Sequence, residues 1–70
     1  MREDQIYVVI VRLLNEGAVL EEYSGEGRRF VLRHGGERAP VPGGVARKLV
    51  EDQRVKASCR LGRRVLWRAA

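Results

Sequence analysis

The sequence has few of the residues that build disulfides, metal sites and membrane spans. Among its 70 residues, Cys59 is the only cysteine and His34 the only histidine. One residue of each type cannot form a disulfide framework or a zinc site within one chain. The apolar run Ile6–Val11 is too short to span a bilayer, and the acidic residues before it are unlike a signal peptide. We therefore expect a cytoplasmic protein without a cofactor.

Complete motifs of the common enzyme classes are also missing. The segment beginning Gly25-Glu26-Gly27 lacks the third glycine of a dinucleotide-binding fingerprint, and a hairpin loop is predicted there instead. Neither glycine pair, at 35–36 or 43–44, is followed by the lysine and hydroxyl residue of a P-loop. Cys59 has no nearby base, so we expect a buried, unreactive thiol. We predict no catalytic residue, no metal ligand and no enzymatic activity.

What the chain has in excess is positive charge towards its carboxyl-terminal end. Residues 1–46 carry six basic and seven acidic side chains, a net charge of −1. Residues 47–70 carry eight basic and two acidic side chains, a net charge of +6. This asymmetry indicates a polyanionic or acidic partner for the carboxyl-terminal third. A basic surface that serves only solubility is the alternative that the composition leaves open.

Apolar spacing near the start predicts an amphipathic helix over about Asp4–Glu16. Ile6, Ile10 and Leu13 recur at intervals of four and three residues, and Gly17 suits the position just after a helix. The β-branched residues of this segment alternatively favour a strand. The length of the segment, the suitability of Asp4 as an N-cap and the glycine at position 17 favour the helix.

This helix carries more apolar surface than the small core of a 70-residue chain can cover. The excess lies off the main apolar stripe. We hypothesise a homodimer in which the helix pairs with its twofold mate through Tyr7, Val8 and Val11.

Two β-hairpins are predicted. In the first, Ala18–Tyr23 and Arg28–His34 flank a loop of turn-forming residues, after which the chain turns away towards the prolines. Pairs of Glu21 and Glu22 with arginines of this hairpin are interpreted as exposed, each contributing under about 1 kcal/mol. In the second hairpin, alternation places one set of residues on an apolar face: Val55, Ala57, Cys59, Leu61, Val65, Trp67 and Ala69. The opposite, basic face would carry Lys56, Ser58, Arg60, Arg64, Leu66 and Arg68.

Between the hairpins, Pro40–Val55 predicts a helix that begins near Pro42, where a missing N–H is tolerated. Its apolar side would face the core through Val45, Ala46, Leu49 and Val50. Gly43 and Gly44 leave its amino end open to a close partner such as a phosphate.

These elements predict one α+β domain over residues 1–70, with the order α-β-β-α-β-β. We expect one core that contains Ile10, Leu13, Phe30, Leu49, Val50, Cys59 and Trp67. Trp67 is interpreted as a core anchor, because a base-stacking platform needs aromatic residues that point outward.

Two segments resemble the small winged-helix proteins of bacteria and phages. Leu13–Val19 has leucines followed by a glycine at a helix end, and Val45–Val55 has a lysine-leucine pair followed by a short turn into a valine strand. The first hairpin replaces the second helix of the usual helix-turn-helix, and Gln53-Arg54 replaces a glycine at the turn. A similar arrangement occurs in a small bacterial toxin family that inhibits topoisomerase by protein contact.

The resemblance implies a DNA-binding regulator whose helix and wing, the second hairpin, contact double-stranded DNA. The candidate nucleic-acid-binding residues are Gly44, Arg47, Lys48, Arg54, Lys56, Arg60, Arg63, Arg64 and Arg68. For Arg47 and Lys48, a solvated helix face is the alternative. The rival function is a phage- or toxin-type inhibitor that binds an acidic surface of a host nucleic-acid enzyme.

Overall fold

A computed structural model describes residues 2–70 as two helices and five strands. In chain order, the elements are α1 (Glu3–Asn15), β1 (Val19–Tyr23), β2 (Arg29–His34), β3 (Glu37–Val41), α2 (Gly43–Glu51), β4 (Val55–Leu61) and β5 (Arg64–Ala69). The α+β class is confirmed, and both helices and both predicted hairpins are present. The predicted order was wrong, because a third strand precedes α2 and makes the order α-β-β-β-α-β-β.

The unpredicted strand, β3, is paired through a tight turn. Gly35 and Gly36 both have positive φ, +62° and +103°, which a two-residue hairpin turn of type I′ requires. His34 and Glu37 are therefore opposite each other in the β2–β3 ladder. Pro40 is tolerated because β3 is an edge strand.

All five strands form one antiparallel sheet with the spatial order β3-β2-β1-β5-β4. Both helices cover the same face of this sheet, and the buried residues from all these layers form one core. Its fully or nearly buried members are Ile10, Leu14, Ala18, Leu20, Leu32, Val41, Val45, Ala46, Leu49 and Val55. Of the predicted core, Ile10 and Leu49 are buried, whereas Leu13, Phe30, Val50 and Trp67 are half-buried and pack against it.

Cys59 is exposed, so its predicted place in the core was wrong. The β4–β5 register shifts between Ala57 and Cys59, as at a β-bulge. A bulge inserts one residue into one strand, which moves every later side chain to the opposite face. Cys59 and Leu61 consequently share a face with Arg64 and Leu66, and Arg60 lies on the helix-covered side.

Both helices end in the hydrogen-bond pattern of a Schellman motif. After α1, the N–H groups of Gly17 and Ala18 donate to the carbonyls of Leu14 and Leu13, and Gly17 has φ +107°. After α2, the corresponding left-handed position is occupied by Gln53, with φ +58°. A residue with a β-carbon is strained in this conformation. Within residues 2–70, neither helix is long and apolar enough to cross a membrane.

Candidate functional site

The face of the sheet that the helices leave uncovered is rich in positive charge. The ladder registers place on it every second residue of each strand, and we call this surface the open face. Its basic side chains are Arg29, Arg33, Arg38, Lys56, Arg64 and Arg68. Among the described residues, its single acid is Glu21. The open face therefore presents cations from four of the five strands, and β1 contributes its acid.

Glu21 is only 1% exposed, although no helix covers it. Its Oε1 lies 3.0 Å from Nη2 of Arg38, and its Oε2 lies 3.5 Å from Nη1 of Arg33 and 3.9 Å from Nη1 of Arg64. The interpretation of Glu21 as an exposed, weakly paired acid was wrong. A buried carboxylate is stable only where cations and hydrogen bonds compensate its lost hydration, and three arginines from three strands do so here.

Tyr23 links the members of this cluster. Its hydroxyl donates to Oε1 of Glu21 at 3.1 Å and accepts a hydrogen bond from Arg38. Its interaction with Arg64 raises the pKa of that guanidinium, which stays charged at every physiological pH. The arginines around Glu21 are thus held in fixed positions while their remaining N–H groups stay available.

The neighbouring acid, Glu22, anchors another arginine on the opposite side of β1. Its Oε2 lies 3.1 Å from Nε of Arg28, and its Oε1 accepts a hydrogen bond of 3.0 Å from the Trp67 indole. Trp67 is half-buried against the core and is held on the helix-covered side. Its indole therefore fixes the Glu22–Arg28 pair.

The structure separates the nine predicted nucleic-acid-binding residues into groups. Lys56, Arg64 and Arg68 lie together on the open face. Arg54 and Arg63 follow α2 and β4 in turns, and Arg60 lies on the opposite side of the sheet from Arg64. The other three, Gly44, Arg47 and Lys48, belong to α2 in the helical layer.

The amino end of α2 already has a neighbouring anion. The carboxylate oxygens of Glu3 lie 3.5 and 3.8 Å from the position that a β-carbon on Gly44 would occupy. This carboxylate would repel a phosphate, so it argues against anion binding at this helix end. Binding through Gly44 stays a prediction. On the same side, Nζ of Lys48 lies 5.8 Å from the centre of the Tyr7 ring, within the range of a cation–π contact.

The three residues of the hypothesised dimer interface differ in how far they are buried within one chain. The Tyr7 hydroxyl donates to Oδ2 of Asp52 at 2.6 Å, and this bond raises the pKa of Tyr7 above its ordinary value. Tyr7 and Val11 are half-buried against the core. Val8 is 66% exposed and Val9 43% exposed, so surplus apolar surface remains on α1. The dimer stays a prediction.

Three cations of the open face were missed as site residues: Arg29, Arg33 and Arg38. The first two were interpreted as partners in weak surface pairs, and Arg38 was placed in a connecting segment. The signal that could have found them is Gly35-Gly36 between two stretches of alternating residues, which is typical of a tight hairpin.

The fold and the open face define a two-layer α+β protein with a basic, helix-free sheet surface. Across residues 2–70, no three histidine, cysteine, aspartate or glutamate side chains lie close enough together to share a metal ion. Comparison with known proteins gives no match among family models, curated proteins or solved structures.

Proposed function

We propose that this protein binds double-stranded DNA through the open face of its sheet and acts in the cytoplasm as a regulator. The observation that carries the proposal is the charge of that face: it has six cations from four strands and one acid, Glu21, which is itself buried. Guanidinium groups suit phosphate oxygens because they donate two parallel hydrogen bonds. Holding them in place before binding reduces the entropy lost on contact.

The dimensions favour a duplex over a single strand. Strands lie about 4.8 Å apart, so five of them span roughly 20 Å, comparable to the width of a DNA duplex and too wide to enter the major groove of about 12 Å. Single-strand binding relies on aromatic platforms. Tyr23 is the aromatic residue among the described side chains of the open face, and its hydroxyl is engaged by Glu21 and Arg38.

The winged-helix resemblance enters this proposal through the β4–β5 hairpin, which would act as the wing. The two helices are separated by three strands and do not form a helix-turn-helix pair within the described residues. We therefore propose contacts with the phosphates from the sheet and the wing, without a recognition helix in the groove.

The test is a salt series of binding to a random 20-bp duplex, with two variants of equal charge change. If all six cations contact phosphates, the logarithm of affinity should fall with the logarithm of salt with a slope of about −5. Arg68→Glu on the open face should weaken binding and reduce that slope by about one or more. Arg12→Glu, on the exposed side of α1, should leave the slope nearly unchanged. Equal losses in both variants would contradict binding through the open face.

A protein-binding inhibitor is the second candidate, favoured by apolar side chains among the arginines. Leu66 lies opposite Glu21 in the ladder, and Leu61 near the tip of the wing is 48% exposed. Arginine mixed with apolar residues is typical of protein interfaces. In this case wild-type protein should hold no duplex in about 100 mM salt, where several phosphate contacts would still be visible. It should instead inhibit a purified bacterial topoisomerase, and Leu66→Ala should remove that inhibition.

A further inference from the structure

A cavity lies at the end of the sheet where β1 ends and β2 begins. It is lined by residues of the open face and, on the side of the helices, by Arg28, Phe30, Val41 and Gly43. Its volume is about 550 Å³, within the range of roughly 300 to 1,000 Å³ that small-molecule sites occupy. Arg28, Arg29, Arg38 and Tyr23 provide polar groups, and Val31 and Pro40 provide an apolar surface. Among the described residues that line it there is no aspartate or glutamate.

Two of the three arginines are paired with carboxylates that do not line the cavity. Glu22 holds Arg28 at Nε, which leaves both Nη groups of Arg28 outside that 3.1 Å contact. Glu21 and Tyr23 hold Arg38 through its Nη2. Arg29 is exposed and has no ion pair among residues 2–70. The cavity is therefore lined by two positioned guanidinium groups and one whose charge is not compensated.

We infer that this cavity binds the phosphate monoester of a nucleotide, supplied either by a free nucleoside monophosphate or by the phosphorylated end of a DNA strand. A monoester carries a charge of about −1.5 to −2 at pH 7, whereas an internal diester carries one negative charge. Arg29 supplies the charge that is not compensated, and the guanidinium groups of Arg28 and Arg38 supply further N–H donors for the additional oxygen of a monoester. The apolar surface formed by the cross-strand neighbours Val31 and Pro40 offers contact for the base or sugar.

For the strand end, this inference rests on the proposed DNA binding; for the free nucleotide it does not. The experiment is calorimetric titration of the full chain with adenosine 5′-monophosphate, adenosine and inorganic phosphate. A parallel titration uses one blunt duplex with either 5′-phosphate or 5′-hydroxyl ends. The matched variants are Arg29→Gln in the cavity and Arg68→Gln, which lies on the open face but does not line it. Thermal melts check that both variants are folded.

We expect the monophosphate to bind more tightly than adenosine or phosphate. Arg29→Gln should weaken it by about tenfold or more, because a charge-assisted hydrogen bond is lost, and Arg68→Gln should leave it unchanged. The 5′-phosphorylated duplex should bind more tightly than the hydroxyl duplex, and this preference should disappear in Arg29→Gln.

The outcomes separate this inference from the proposed function. Duplex binding with no affinity for the monophosphate and no preference for phosphorylated ends would overturn the cavity and leave the DNA proposal standing. Monophosphate binding without duplex binding would support the cavity and overturn the DNA proposal. Equal affinity for adenosine and its monophosphate would overturn phosphate recognition, and equal affinity for phosphate and the monophosphate would overturn recognition of the nucleoside.

Discussion

The two faces of the sheet bury their side chains by different means. On the helix-covered face, Leu20 and Leu49 are completely buried by apolar packing between the layers. On the open face, Glu21 is as well buried, but the groups around it are the charged and aromatic side chains of the same sheet. One face therefore depends on the exclusion of water from apolar surface, and the other on the pairing of charges.

This difference indicates how a small protein can keep a helix-free sheet surface. An uncovered apolar sheet would be an aggregation site. Long arginine side chains cover apolar surface with their methylene groups and keep their charge in water. The buried acid lowers the net charge of the cluster and fixes its geometry. The open face can thus be both stable without a partner and suited to an anionic one.

The largest expected effect comes from breaking the covered face. Leu49→Ala should lower the free energy of unfolding by about 2 to 5 kcal/mol, since it leaves a cavity at a site with no exposure. Leu61→Ala, on the open face and 48% exposed, should change it by less than about 0.5 kcal/mol. Urea denaturation followed by circular dichroism measures both. Equal losses would mean that the helices do not form the core with the sheet.

A smaller loss is expected from breaking the open face at its centre. Glu21→Gln should cost about 1 to 3 kcal/mol, because the arginines around it lose a charged acceptor but are themselves partly exposed and can be rehydrated. Glu22→Gln, which affects one exposed arginine and the Trp67 bond, is the matched comparison and should cost less. If Glu22→Gln is the more damaging, Glu21 is not the residue that stabilises the open face.

Periodicity was sufficient to predict the helices and hairpins. The spacing of Ile6, Ile10 and Leu13 predicted α1 correctly against the β propensity of its residues, since the helix buries one side of that pattern. The third strand was missed because the chain after the first hairpin was expected to turn away towards the prolines. Pro40 is acceptable in β3 because β3 lies at the edge of the sheet. The local sequence pattern therefore predicted two helices and four of the five strands, but not the total number of strands.

The open face was harder to predict, because its composition depends on contacts between distant parts of the chain. Arg38 on β3 and Arg64 on β5 reach Glu21 from opposite sides of β1 in the sheet. No local spacing in the sequence relates these residues. The bulge in β4 has no glycine or proline to mark it, so alternation placed Cys59 and Arg60 on the wrong faces. A shift of one residue was enough to reverse both assignments.

A stabilising change is expected at Gln53, where the backbone after α2 is strained. Gln53 has φ +58°, and Gln53→Gly should raise the free energy of unfolding by about 1 kcal/mol because glycine adopts this conformation without a steric penalty. For a domain of this size, the melting temperature should rise by about 4 to 8 °C. Gly17→Gln makes the reverse change at the end of α1 and should lower it. Unchanged melting in both variants would show that these positions carry no backbone strain.

The smallest effect on stability, and the sharpest test of the two faces, is expected at Cys59. The thiol is exposed on the open face, so Cys59→Ser should change the free energy of unfolding by less than about 0.5 kcal/mol. In the native protein, the thiol should react with a disulfide reagent without prior unfolding, because access limits the reactivity of buried thiols. Urea below the unfolding transition should leave that rate nearly unchanged. A native thiol that reacts only in proportion to the unfolded population would place Cys59 under the helices and remove the bulge.

Because Cys59 lies opposite Leu66, beside the proposed DNA contacts, saturating duplex should slow the reaction of wild-type protein. At a salt concentration where the Arg68→Glu variant no longer binds duplex, duplex should not slow the reaction of its thiol. The same reagent therefore reports whether Cys59 lies on the open face and whether DNA covers that face.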